Sequence, residues 1–144
     1  MTGKVNKAAV LKYSDISVGS SYSFERTVSC QEGQDFAKLT GDFSPLHVDS
    51  VFGKRSQFKK NVAHGMLLAS FFSTIVGMYC PGKKNLYISQ TANFRGPIFY
   101  GDIVQVKGTV IEKSDSIRLI TLKMEVFKDD EIALTGEARV KVLE

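Results

Sequence analysis

Between Val62 and Tyr79 the apolar side chains do not keep to one stripe. Val62, Met66, Leu67, Leu68, Phe71, Phe72, Ile75, Val76, Met78 and Tyr79 would surround the axis of any helix drawn through them. A surface helix buries one face, whereas a helix apolar on nearly all sides must be enclosed on nearly all sides. The apolar run from Gly65 to Cys80 is shorter than the roughly 20 residues a membrane span needs, and Ser70, Ser73 and Thr74 interrupt it. Pro81-Gly82 stops it. The rest of the chain therefore has to supply a wrapping layer.

Downstream, the pattern changes to β character over Asn85–Phe94, Asp102–Lys113, Ile117–Phe127 and Ile132–Leu143. Gly96-Pro97, Gly101-Asp102, Ser114-Asp115-Ser116 and Asp129-Asp130 supply turn chemistry at the junctions. Upstream, Ser20–Val28 alternates weakly and reads as a first strand. Ser29-Cys-Gln-Glu then sets a hydroxyl N-cap with an acid three places on, opening a helix that carries Phe36 and Leu39 and runs out at Gly41. Residues 42–48 contain Pro45 and read as a turn, and Asp49 caps a short helix through Val51 and Phe52. Strand, helices, one enclosed helix and a run of antiparallel strands make an α+β chain. A curved antiparallel sheet wrapped around the long central helix is the simplest cover. A length of 144 residues suits one domain, and no repeat or low-complexity stretch divides 1–144; residues 1–12 are expected as a loose lead-in.

The bulk chemistry narrows the function classes. A formal charge of +4 and a pI near 9.1 suit a polyanionic ligand. The 19 basic residues are scattered, with one local concentration at Lys54, Arg55, Lys59 and Lys60, so nucleic-acid binding is not expected. That cluster reads as a solvated loop or, alternatively, a surface for phosphate groups of a ligand, and Arg95 has the same two readings. Cys30 and Cys80 form neither a disulfide framework nor a metal spacing, and read as free buried thiols in a reducing cytosol. Met1–Val10 has lysines but no apolar core, so it does not read as a signal peptide. A cytoplasmic protein with no metal, no cofactor and no membrane association is expected.

Chemistry concentrates in two segments. In Phe36-Ala-Lys-Leu-Thr-Gly-Asp-Phe-Ser-Pro-Leu-His, the carboxylate of Asp42 and the imidazole of His47 lie five residues apart on a turn shaped by Gly41 and Pro45. Such a pair can converge on one water, the acid accepting a proton and the imidazole orienting the water or moving protons near neutral pH. A turn aspartate and a satisfied core histidine would also account for the pattern. The second segment, Val62-Ala-His-Gly-Met-Leu-Leu-Ala-Ser, opens the central helix with Gly65 in its first turn. Glycine there lets a ligand reach free N–H groups at the positive end of the helix dipole, which can hold an enolate-like oxygen. The alternative is that Gly65 serves packing and His64 caps the helix.

Taken together, Phe36–His47 and His64-Gly-Met-Leu-Leu-Ala-Ser resemble the MaoC-like (R)-specific enoyl-CoA hydratases, whose signature is a Gly/Glu-Asp-x-Asn-Pro-Leu-His run upstream of His-Gly-Met. The likeness continues through Gln90-Thr-Ala-Asn-Phe-Arg-Gly-Pro, Tyr100-Gly-Asp and Thr135-Gly-Glu-Ala, covering residues 13–143. The resemblance implies a single hot-dog domain acting as a homodimer, with the acyl-CoA site in the groove between protomers. It implies a lyase that reversibly adds water to trans-2-enoyl-CoA in a syn sense, giving (R)-3-hydroxyacyl-CoA for fatty-acid breakdown or polyester (polyhydroxyalkanoate) supply. Asp42 would be the acid/base, His47 its partner, and the Gly65 N–H the holder of the thioester oxygen. Ser73 and Val76 would line the acyl pocket.

One departure stands at Ser44, where the family carries Asn. A hydroxyl can hydrogen-bond within the turn but cannot supply both donor and acceptor of a carboxamide at the same reach. The change would lower activity or tune the site to another acyl-CoA, such as a branched or dicarboxylic one, and it keeps a non-catalytic acyl-CoA-binding role in play. A hot-dog thioesterase fits less well: such enzymes need a carboxylate near the central helix, and none occurs between Val51 and Asp102.

Overall fold

The computed structural model describes residues 7–144. Its strands are β1 (Ser21–Thr27), β2 (Asn85–Gln90), β3 (Asn93–Phe94), β4 (Ile103–Ser114), β5 (Leu119–Lys128) and β6 (Glu131–Val142). Its helices are α1 (Cys30–Thr40), α2 (Pro45–Val48), α3 (Ser50–Arg55) and α4 (Gly65–Thr74), and α4 runs on as a π-helical turn over Ile75–Tyr79. All strands join one antiparallel sheet in the order β1-β4-β5-β6-β2, with β3 also paired to β6. With α4 packed on one face, this is the hot-dog arrangement that the resemblance implied.

Period-two burial shows how the sheet makes room for the helix. Along β4, Val104, Val106, Gly108 and Val110 are buried while Gln105, Lys107 and Thr109 between them lean outward. Ile120, Leu122, Met124 and Val126 of β5 and Ala138, Val140 and Val142 of β6 continue the same surface. Leu67, Leu68, Phe71, Phe72, Ile75 and Val76 of the helix press into it. The β5–β6 hairpin turns on Asp129-Asp130, both at positive φ (48° and 63°), which gives a primed turn whose twist matches the strands.

Cys80 is buried as expected, but Cys30 is exposed, because it opens the first turn of α1; three further expectations are corrected. The helix begins at Gly65 rather than Val62, because Val62 and Ala63 are drawn into extended pairing with Phe99 and Ile98. Its enclosure is also incomplete: Met66 is 61% exposed and Ser70 and Ser73 are open. One sheet from one chain covers the helix from one side only, and these residues at i, i+4 and i+7 share the uncovered face. Lastly, residues 1–6 of the expected loose lead-in lie outside the described residues, but the remainder is tied down. Ala9 N–H donates to Met78 O, Leu11 N–H to Pro81 O, and Lys83 N–H to Ala9 O.

Candidate active site

The turn that carries Asp42 and His47 is built by local hydrogen bonds. Ser29 caps α1 by accepting from Glu32 N–H at 3.1 Å, as its position suggested. The helix ends at Gly41, whose φ of 81° is left-handed, and Gly41 N–H donates to Ala37 O. Asp42 N–H then donates to Thr40 Oγ1, and Asp42 Oδ1 accepts from Ser44 N–H at 3.1 Å. Pro45 opens α2 at a position where its missing N–H costs nothing, which lifts His47 onto the next turn. Ser44 itself is exposed, and its hydroxyl makes no capping hydrogen bond. The bracing expected of its side chain is supplied by its backbone N–H.

Longer-range contacts hold α2 against the core. Asn61 Nδ2 donates to Leu46 O and Asp49 O, both at 2.9 Å, and Val62 N–H donates to Leu46 O. The Tyr100 hydroxyl donates to His47 O at 3.0 Å, and burial pushes its pKa up to about 12, so it stays a donor across the working range. Below the turn lies His64, 1% exposed. Its ring stacks on that of His47 at 4.1 Å between centroids and 25° between planes, and Phe36 meets it edge-on at 4.9 Å.

Hydrogen-bond partners assign the imidazole protons. A carbonyl can only accept, so His47 Nδ1, 2.7 Å from Val62 O, carries hydrogen, and in the neutral ring Nε2 keeps its lone pair. By the same reasoning His64 Nε2–H donates to the main-chain oxygen of Asp42 at 3.0 Å, and lies 3.9 Å from the Asp42 carboxylate. One donor atom from each of Asp42, His47 and His64 lies within 4.8 Å of the others. That spacing is compatible with a cation, but these hydrogen bonds commit one nitrogen of each ring, so a metal would have to use the other. A carboxylate oxygen of the half-exposed Asp42 and a ring nitrogen of His47 lie within 4.8 Å of each other, a separation that one small polar molecule can bridge.

Beside His47 a cavity of about 350 Å³ opens, mostly apolar, with His47, Gly65, Leu68, Phe94, Arg95 and Ile98 among its walls; Asp42 is not one of them. It is of ligand-pocket size. Gly65 is at the first turn of α4, where N–H groups have no intrahelical acceptor. A Cβ at Gly65 would come 2.7 Å from the Phe94 ring, so the packing reason for glycine is realised, and the residue borders the cavity as well. His64 occupies the N-cap position but its side chain caps nothing. Ser73 and Val76 are not among the lining residues: Ser73 faces outward and Val76 is in the core. At about 1.5 Å per residue they lie roughly 12 and 16 Å along the helix from Gly65, whereas the cavity touches only the first turn.

Sequence reading missed Asn61 and Tyr100 as supports and considered His64 only as a cap. His64 had a signal in its place next to Gly65 and Tyr100 in the Tyr100-Gly-Asp match, whereas Asn61 had none.

Comparisons with known proteins identify the family and match the fold. The family model described as "MaoC like domain" matches residues 15–131. The chain is 39% identical over 133 residues to the 3-hydroxybutyryl-CoA dehydratase of Methylorubrum extorquens, covering 92% of this chain and 85% of the relative. It is 36% identical to the (R)-specific enoyl-CoA hydratase of Aeromonas caviae, covering 88% of this chain and 96% of that one. Among solved structures, an R-hydratase from Pseudomonas aeruginosa in the unliganded form superposes with a TM-score of 0.91 at 28% identity, covering 95% and 88% of the two chains. The (R)-hydratase from A. caviae involved in PHA biosynthesis superposes with a TM-score of 0.86, covering 88% of this chain and 97% of that one.

Proposed function

Since the chain belongs to the MaoC-like dehydratase family, we propose that it is an (R)-specific enoyl-CoA hydratase, adding water reversibly to a trans-2-enoyl-CoA. The observation that carries this reading is the convergence of Asp42 and His47 beside an apolar cavity that also reaches the start of α4. In the proposed reaction Asp42 and His47 Nε2 grip one water. As the water oxygen bonds to C3, one water proton passes to the Asp42 carboxylate, and Asp42 then releases that proton to C2 on the same face, giving syn addition and returning Asp42 to its carboxylate form. Negative charge develops on the thioester oxygen, where the N–H groups at Gly65 hold it. The apolar walls take the acyl chain and exclude bulk water, which strengthens these interactions.

The direct test is the enoyl-thioester absorbance with crotonyl-CoA and longer homologues. It should decay on adding the protein and yield the (R)-alcohol, and an unchanged absorbance across the panel would remove the reading.

In the same proposal the working unit is a homodimer of two 15.9 kDa chains. Strand β2 is a sheet edge with Leu86 and Ile88 each 51% exposed, and the open face of α4 leaves Met66 uncovered. A two-fold pairing would cover such an edge. Sedimentation should give the dimer mass, and a fully active monomer at dilute concentration would contradict it.

A further inference from the structure

His64 is the one imidazole here that the proposed reaction does not use. It is 1% exposed, its Nε2–H is given to the main-chain oxygen of Asp42, and its ring is the surface on which His47 stacks. Its Nδ1 is buried without a hydrogen-bond partner among the described residues. A buried, unpaired polar nitrogen costs free energy that an apolar ring of similar shape would avoid. Packing alone therefore does not account for a histidine. The local geometry does, because one side chain touches both members of the pair: it ties down the backbone of Asp42 and supports the ring of His47.

We infer that His64 is a positioning residue, setting the distance and orientation between Asp42 and His47 through one hydrogen bond and one stacked face. The two members reach the site by different routes. Asp42 follows the end of α1 and is half exposed, whereas His47 rides on α2. Local bonds within the turn do not join the Asp42 main chain to the core, and His64 Nε2–H supplies that link across 22 residues of sequence. A displacement of about 1 Å at such a pair costs on the order of 10²-fold in rate.

The inference rests on the hydration reading, and one set of measurements separates their failures. Wild type is assayed first on the enoyl-CoA panel. Inactivity there defeats the hydration reading, and this inference with it, whatever the variants do. With wild type active, His64→Phe keeps the stacked ring and removes the donor, while His64→Gln keeps a donor able to reach the Asp42 carbonyl and removes the ring. His64→Phe should lower kcat by about 10- to 100-fold with KM within about threefold of wild type, the signature of lost geometry rather than lost binding. His64→Gln should recover at least part of that kcat.

Either of two kinetic results would overturn the inference: a Phe variant with wild-type kcat, or a Gln variant no better than Phe. A rise in KM at constant kcat would make His64 a binding residue and would also overturn it. Should His64→Phe fail to fold, His64→Met, of comparable volume and without a donor, replaces it. Loss of folding in both would make His64 a purely structural residue and would likewise count against the inference.

Discussion

The turn at 41–48 and the first turns of α4 face each other across the site, and they are held by opposite means. In the turn, the bonds that shape the backbone from within span two to four residues, Asp42 is half exposed, and Phe43 is 58% exposed. In the helix, Leu67, Leu68, Phe71 and Phe72 are buried against strands far away in sequence. Burial of large apolar side chains carries most of a domain's stability. A local network at the surface carries little of it, yet it can place reactive atoms closely. In the proposed reaction, chemistry and stability thus fall largely to different segments, and His64, Tyr100 and Asn61 are where the two are joined.

The largest expected effect tests that division from the side of chemistry. Asp42→Asn and His47→Gln should each lower kcat on crotonyl-CoA by about 10²–10⁴, the usual range for a lost acid/base group, with thermal unfolding little changed. Near-full activity in both would remove the roles assigned to them. A fall in melting temperature as deep as that of a core mutant would break the comparison.

The converse comes from the helix. Phe72 is fully buried, and Phe72→Ala should cost about 3–5 kcal/mol in chemical denaturation. At temperatures where the variant remains folded, its kcat should stay closer to wild type than that of either turn variant. A small stability loss there would mean that the helix is not the main support of the fold.

A smaller effect is expected at the junction. Tyr100→Phe removes the hydrogen bond to His47 O and should cost about 0.5–1.5 kcal/mol, with a modest loss of kcat. The same residue gives a pH signature. Burial holds the Tyr100 and Tyr87 hydroxyls up at about 12, above their ordinary value of 10.0. The folded state therefore binds these protons more tightly than the unfolded state. The stability this contributes is complete below pH 10 and is lost as the pH rises through about 12. Urea unfolding at pH 9 and 11 should show the decline, and Tyr100→Phe should make it shallower; equal slopes would show that Tyr100 does not contribute.

The smallest expected effect is at Ser44. Asp42 Oδ1 takes its hydrogen bond from the backbone N–H of residue 44, which any residue but proline supplies. Ser44→Asn should therefore leave stability unchanged and shift kcat/KM on crotonyl-CoA only slightly. A large gain would mean that a carboxamide braces the turn in a way the hydroxyl cannot. A loss on a bulkier acyl-CoA with a gain on crotonyl-CoA would mean that serine makes room for substrate.

The same contrast explains what could be read in advance. Local signals are legible because their physics lies within a few residues: Ser29 three places before Glu32, Gly41 at the end of α1, Pro45 at the start of α2, and Asp129-Asp130 in the last hairpin. The apolar content of 62–79 showed that a sheet had to cover the helix, although Met66, Ser70 and Ser73 stand open because one chain covers one side. Asp42 and His47 were identifiable as a pair. Contacts joining distant segments were not: no spacing rule connects Tyr100 to His47, Asn61 to Leu46 and Asp49, or His64 to the Asp42 carbonyl. The cavity walls come from four separate stretches, which is why Phe94 and Arg95 were not singled out as neighbours of Gly65 and why Ser73 and Val76 were.

Asn61 has a bearing on how the protein ages. A single amide nitrogen draws two carbonyl oxygens of the α2 segment toward it at 2.9 Å. Asparagine is among the residues that heat degrades. Hydrolysis of this amide to an acid would replace a donor with an acceptor facing those same oxygens, turning attraction into repulsion beneath His47. The damage would be slow and cumulative, and it would be invisible to a check of fold or solubility. A stored preparation would lose turnover while remaining folded, at a pace set by the chemistry of one side chain.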